Sequence, residues 1–107
     1  MPVIPRDELL GILREVKGKL KELLGDDLVE VILFGSYARG EAREGSDVDV
    51  LVITRRRLTP EEDWELGELM TDLVLKYGVV VSLVVYPKRE EPKDPFFLTA
   101  MEEGIKV

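Results

Sequence analysis

Apolar positions recur with helical spacing over the first quarter of the chain and with strand-like continuity soon after. Leu9, Leu10, Leu13, Val16, Leu20, Leu23 and Leu24 predict a helix from about Arg6 to Leu24, stopped at Gly25. Gly11 and Gly18 inside it each weaken it by about 1 kcal/mol relative to alanine. Leu28 to Phe34 reads as a strand that ends abruptly at Gly35-Ser36. A polar, glycine-punctuated segment then runs to Gly45, with one helical turn expected around Tyr37 to Glu41. Val48 to Thr54 is a second, valine-rich strand.

Thr59-Pro60-Glu61-Glu62 predicts the start of a second long helix, because Thr59 can cap, Pro60 suits the first helical position and Glu62 can complete a capping box. Trp64, Leu66, Leu69, Met70, Leu73 and Val74 follow as its expected core stripe, and Tyr77-Gly78 ends it. Val79 to Tyr86 predicts a third strand, apolar apart from Ser82. The charged run from Pro87 to Pro95, with prolines at 87, 92 and 95, reads as an exposed connector. Phe96 to Glu103 predicts a last short helix before Gly104, with Ile105 and Val107 in a small terminal strand or anchor. The order helix, strand, turn, strand, helix, strand, helix predicts an α/β (α+β) fold. In it a sheet of three or four strands, mixed or antiparallel, is covered by helices on one face.

Composition narrows the chemistry. The 107 residues, 45% hydrophobic and 35% charged, fit one small soluble domain spanning residues 1–107. No apolar run approaches the roughly 18 residues needed to span a bilayer, and the start lacks a secretory pattern, so no membrane association and a cytoplasmic location are expected. With Cys 0 and His 0, disulfides, zinc clusters and histidine acid–base catalysis are excluded. Any metal must sit on oxygen ligands, which suits Mg²⁺ or Mn²⁺. The sequence also contains no Asn and no Gln, which points to a heat-adapted source. A net charge of −7 argues against direct binding of nucleic acid and favours either metal-assisted phosphate binding or a basic protein partner.

The chemistry concentrates in Gly35-Ser36-Tyr37-Ala38-Arg39-Gly40, followed by Ser46-Asp47-Val48-Asp49. A strand that ends in Gly-Ser and turns into a helical segment presents free amides and a positive dipole end to a phosphate. Gly35 permits close backbone approach, Ser36 adds a hydroxyl and Arg39 adds charge. Asp47 and Asp49, two apart at a strand start, are expected on one face, where their repulsion is relieved by a divalent cation. Taken alone, Gly-Ser is an ordinary turn and Ser46-Asp47 is a loop cap. Taken together, they predict a metal–nucleotide site with Gly35, Ser36 and Arg39 on the nucleotide and Asp47 and Asp49 as metal ligands and catalytic carboxylates.

This stretch resembles the signature of the polymerase-beta-like nucleotidyltransferase superfamily, and the brevity of the chain resembles its minimal nucleotidyltransferases (MNT). The tail from Pro95-Phe96-Phe97-Leu98 to Glu103-Gly104-Ile105 resembles theirs too. The resemblance implies a sheet flanked by helices, Mg²⁺, and a nucleoside triphosphate such as ATP. It further implies attack by an acceptor hydroxyl, with pyrophosphate leaving. Minimal members often pair with a helical HEPN protein as antitoxins, sometimes by transferring AMP to that toxin. The family's active members place a third carboxylate on a neighbouring strand, where this sequence offers only Ser82; Glu30 on the first strand is either a substitute or a solvated edge residue.

Three functions follow as expectations: AMP transfer to a partner protein, an antitoxin that acts by contact alone, and transfer to a small hydroxylated antibiotic. The last is disfavoured by the expected absence of a second domain. Arg55-Arg56-Arg57 reads as a solvated strand-end turn, with contact to nucleotide, nucleic acid or an acidic partner as the alternative. Tyr37 either stacks near a base or packs. Spare apolar positions on the first helix are compatible with a homodimer or a heteromer.

Overall fold

Two long helices and one valine-rich strand set the architecture. The structure is a computed structural model, which describes residues 3–88 and 95–107 apart from the side chain of Phe96. Helix α1, Arg6–Leu24, buries Leu9, Ile12, Leu13, Val16, Leu20 and Leu24 along one stripe. It ends where Gly25, at φ 55, donates its amide to the Lys21 carbonyl. A 3₁₀ turn, Gly25–Asp27, leads into β1, Leu28–Phe34. The short α2, Gly35–Arg39, follows at once, then β2, Val48–Thr54.

Helix α3, Pro60–Tyr77, opens on a complete capping box: the Glu62 amide donates to the Thr59 hydroxyl, and the Thr59 amide donates to the Glu62 carboxylate. Strand β3, Val81–Pro87, helix α4, Pro95–Glu103, and the two-residue β4, Ile105–Lys106, complete the described chain. The expected connector falls mostly on residues 89–94, which lie outside the described residues.

The four strands form one mixed sheet in the order β3-β2-β1-β4. β1 is antiparallel to β2 and to β4, and β2 is parallel to β3. Parallel neighbours need a long crossover, which α3 provides. Alternation along the strands then divides the core. Val31 and Leu33 of β1 and Val48, Val50 and Val52 of β2 pack under α1 and under Leu66 and Leu73 of α3. Ile32, Phe34, Leu51 and Ile53 face the other way and pack with Ala100 and Phe97 of α4, where the Tyr86 and Phe97 rings lie 5.1 Å apart. Helices therefore cover both faces, correcting the one-faced arrangement that the element order suggested. Nothing in the α4 sequence specifies a face, because its contacts are long-range.

Other expectations shift more modestly. The helical turn begins at Gly35 rather than Tyr37, and β3 begins at Val81, preceded by buried Val79 and exposed Val80. Trp64 and Val74, expected in the core stripe, are 72% and 42% exposed. The reason is angular. At about 100° per residue, Trp64 lies about 160° around the helix from Leu66, so both cannot face the sheet. Among the described residues, no helix is long and apolar enough to cross a membrane.

Candidate active site

β1, an inner strand, delivers the chain to one end of the sheet in an extended conformation at Phe34. Gly35, at φ 75, then turns it directly into α2. A side chain at position 35 is excluded twice. The positive φ strains any L-residue, and a Cβ there would collide with the Asp49 carboxylate. That second contact shows how near the α2 start lies to Asp49.

Phe34 offers no polar cap, and among the described residues no side chain bonds the amides of the first α2 turn. The other end of α2 is closed by Gly40, in the left-handed region, with the Gly40 and Glu41 amides donating to the Ser36 carbonyl. The Ser36 hydroxyl is half-buried and has no partner among the described residues.

The loop before β2 is held by Ser46. Its hydroxyl accepts from the Arg43 amide at 2.9 Å, while its own amide donates to the Arg43 carbonyl at 3.0 Å. The Val48 amide then donates to the Val80 carbonyl at 2.9 Å, pinning the strand start. Asp47 is exposed just before the strand, and Asp49 is half-buried within it. Burial pushes the Asp49 carboxyl above its ordinary value, the neighbouring Asp47 charge pushes it further, and Arg39 pulls the other way. Two carboxylates in this conflict, beside uncapped amides, suit a hard divalent cation with a phosphate ligand.

The register sets what stands beside Asp49. Phe34 pairs with it on β1 and Ser82 on β3. Ser82 thus occupies the neighbouring-strand position opposite Asp49, and among the described residues no third Asp or Glu joins the pair in a metal-sized cluster. Glu30 lies four residues back along β1 from Phe34, the β1 partner of Asp49, about 13 Å at strand rise. There its carboxylate pairs with Lys106 at 2.8 Å, so it is neither a ligand nor a bare solvated edge.

Arg39 bonds Glu41 through Nε at 3.2 Å and approaches Glu103 of α4 at 3.6 Å. A cavity of about 480 Å³ opens here, with Gly35, Arg39 and Asp49 on one side and Thr99, Ala100 and Glu103 on the other. The α4 residues were not legible as site residues, since only the fold brings them against Asp49. A larger cleft of about 600 Å³ lies at the far end of β1 between Lys17, Lys21, Arg55 and Lys106. It holds neither Asp49 nor the start of α2, so the candidate site is the smaller cavity, which Asp49 lines and Asp47 does not.

The remaining candidates are structural. Arg56 is bound by Asp27 and by both carboxylate oxygens of Glu62, and the Arg55 guanidinium donates to the Asp26 carbonyl. The Tyr37 hydroxyl accepts from the Ile4 amide at 3.1 Å, and the ring packs against the core.

Comparison with known proteins agrees with this geometry. The family described as "Nucleotidyltransferase domain" matches residues 13–107. The protein adenylyltransferase MntA of Thermococcus cleftensis is 46% identical over 107 residues, covering all of both chains. The solved structure of a candidate minimal nucleotidyltransferase superposes with a TM-score of 0.68 at 26% identity, covering 97% of each chain. A complex of a tri-AMPylated Shewanella oneidensis HEPN toxin with its MNT antitoxin matches with a TM-score of 0.58 at 21% identity, over 91% of this chain and 69% of that one, a likeness of fold alone. A strand-to-helix turn at Gly35-Ser36 standing over an Asp-x-Asp strand, matched by sequence over the whole length, means that this chain belongs to the nucleotidyltransferase family, in its minimal, MntA-like branch.

Proposed function

We propose that this chain transfers AMP from ATP to a side-chain hydroxyl of a HEPN-type toxin partner, and so acts as that toxin's antitoxin. The observation that carries the reading is Asp49, half-buried beside Asp47 at the foot of the uncapped α2 start. Its support in sequence is the full-length match to a protein adenylyltransferase.

In this reading Asp47 and Asp49 hold Mg²⁺. When bound, the cation supplies charge neutralisation to the triphosphate and to the departing pyrophosphate. The Gly35, Ser36 and Tyr37 amides and the Ser36 hydroxyl bind the phosphate oxygens. Arg39 exchanges its carboxylate partners for phosphate at little cost, because exposed ion pairs contribute at most about 1 kcal/mol. The acceptor hydroxyl enters across the cavity wall formed by Thr99 and Glu103. The test is incubation of the purified complex with α-³²P-ATP and Mg²⁺: label on the toxin is expected, and none with Asp47→Ala or Asp49→Ala. An unlabelled wild-type complex would sink the reading.

Ser82 favours a second reading, an antitoxin that acts by contact and retains the site without turnover, because a serine beside Asp49 is no general base. On that reading the Asp47→Ala/Asp49→Ala double variant still neutralises the toxin in cells. On the first reading neutralisation is lost, and Ser82→Asp, which supplies the third carboxylate, speeds labelling.

A further inference from the structure

The outer face of α3 is not used by the core or by the site. Trp64 and Leu75, at 72% and 80%, are more exposed than any other large apolar side chain among the described residues. With Thr71 they form a stripe at i, i+7 and i+11, opposite Leu66 and Leu73, about 16 Å long at helical rise. Gly67 leaves a notch beside Trp64: a Cβ there meets no atom within 4 Å, and the Thr71 hydroxyl folds back onto the Gly67 carbonyl at 3.0 Å. A shallow hollow follows this notch between Trp64, Glu68 and Thr71.

Along one flank run Glu61, Glu65, Glu68 and Asp72, at i, i+4, i+7 and i+11. Only Glu68 has a partner among the described residues, the Trp64 indole at 2.9 Å. Of the remaining charges of the helix, Glu62 is committed to Arg56 and Lys76 to Glu15, while Asp63, on the opposite flank of the stripe, has no side-chain partner among the described residues. Unpaired like charges at helical spacing cost stability, as does an exposed tryptophan in water. Both costs are removed by a surface of opposite charge with an apolar centre.

We propose that this stripe is the docking site for a helical surface of the toxin partner, with an apolar side chain seated in the Gly67 notch and lysines or arginines against the acidic row. The proposal rests on the partner named under the proposed function. Charge complementarity selects that occupant. An antiparallel pairing of two copies would set each acidic row against its own counterpart, and anionic lipid would meet the same repulsion. Because α3 and Asp49 lie on opposite faces of the sheet, the toxin is held on one face while its acceptor segment reaches the other.

Trp64 is the only tryptophan in the chain, so it reports on this surface directly. The chain is labelled with 5-fluorotryptophan and mixed with unlabelled toxin, complex formation being followed by size exclusion. The ¹⁹F resonance shifts in the complex, and does so equally with Asp49→Asn. The Trp64→Glu/Leu75→Glu and Glu65→Lys/Glu68→Lys/Asp72→Lys variants bind about tenfold more weakly or worse while titrating Mg²⁺–ATP as the wild type does, which shows them folded. An intact complex with an unshifted resonance overturns the docking site but leaves AMP transfer standing. A complex that docks as described yet never labels overturns the transfer instead. A resonance that shifts with the concentration of the chain alone assigns the face to a second copy, and no complex at all refutes the docking; both overturn the proposal.

Discussion

One strand faces two different environments, and the contrast explains how one small sheet carries both a dry core and the candidate site. On one side of β2, Val48, Val50 and Val52 are fully buried beneath α1 and α3. On the other side the same strand carries Asp49 and then Leu51 and Ile53, with α4 covering only the far part. The closed face supplies most of the core, and the polar residue buried on it, Thr54, donates its hydroxyl to the Arg56 carbonyl. The open face supplies less burial and leaves a cavity in which a carboxylate is partly dehydrated and paired with a like charge. Stability is concentrated on one face so that the other can hold an unfavourable arrangement.

Asp49→Asn should break the contrast most sharply. Activity in the labelling assay is expected to fall by about a thousandfold or more, several kcal/mol of lost charge stabilisation. The melting temperature without metal should rise, because the carboxylate that burial and Asp47 penalise is gone. A variant that loses both activity and stability would show that Asp49 supports the fold instead. Leu73→Ala does the reverse. Its side chain is 1% exposed under the closed face, and truncation should cost about 2–5 kcal/mol in urea unfolding. Mg²⁺–ATP affinity should be unchanged wherever the variant is folded.

Gly35→Ala lies between these two. The positive φ and the collision with Asp49 should cost about 1–3 kcal/mol of stability. Displacement of the carboxylate should slow transfer by about a hundredfold. Equal activity would mean that Asp49 has room the geometry denies it.

The smallest effect concerns the edge of the closed face, where Glu62 joins the α3 cap to Arg56. Hydrogen bonds from Arg56, and then from the Thr59 amide, lower its carboxyl from 4.5 to about 2. A folded pKa below the unfolded one stabilises above the unfolded value, and that contribution is lost as pH falls from about 4.5 towards 2. Urea midpoints measured from pH 6 to pH 3 should fall less steeply in Glu62→Gln than in the wild type. Parallel profiles would remove Glu62 from the account.

Local patterns were legible wherever a neighbour within about four residues decides them. The α1 and α3 boundaries, the Thr59 capping box and the three longer strands follow from propensity and spacing alone. The Gly35-Ser36 turn and the Asp-x-Asp strand were legible for a similar reason, being one contiguous stretch in which backbone chemistry and charge coincide. Glu30 and Ser82 could not be ranked without the register, which seats Ser82 beside Asp49 and carries Glu30 to Lys106. Trp64 was misplaced because α3 has more apolar residues than one face can hold.

The sequence by itself determined the elements, the chemical classes available without histidine or cysteine, and the two carboxylates with their glycine turn. Tertiary structure alone decided that α4 crosses to the open face, that Thr99 and Glu103 complete the cavity wall, and that Trp64 meets solvent. Pattern records how apolar a residue is and how it is spaced from its neighbours. Which surface it meets depends on contacts made between segments far apart in the chain, and those exist only once the sheet has paired.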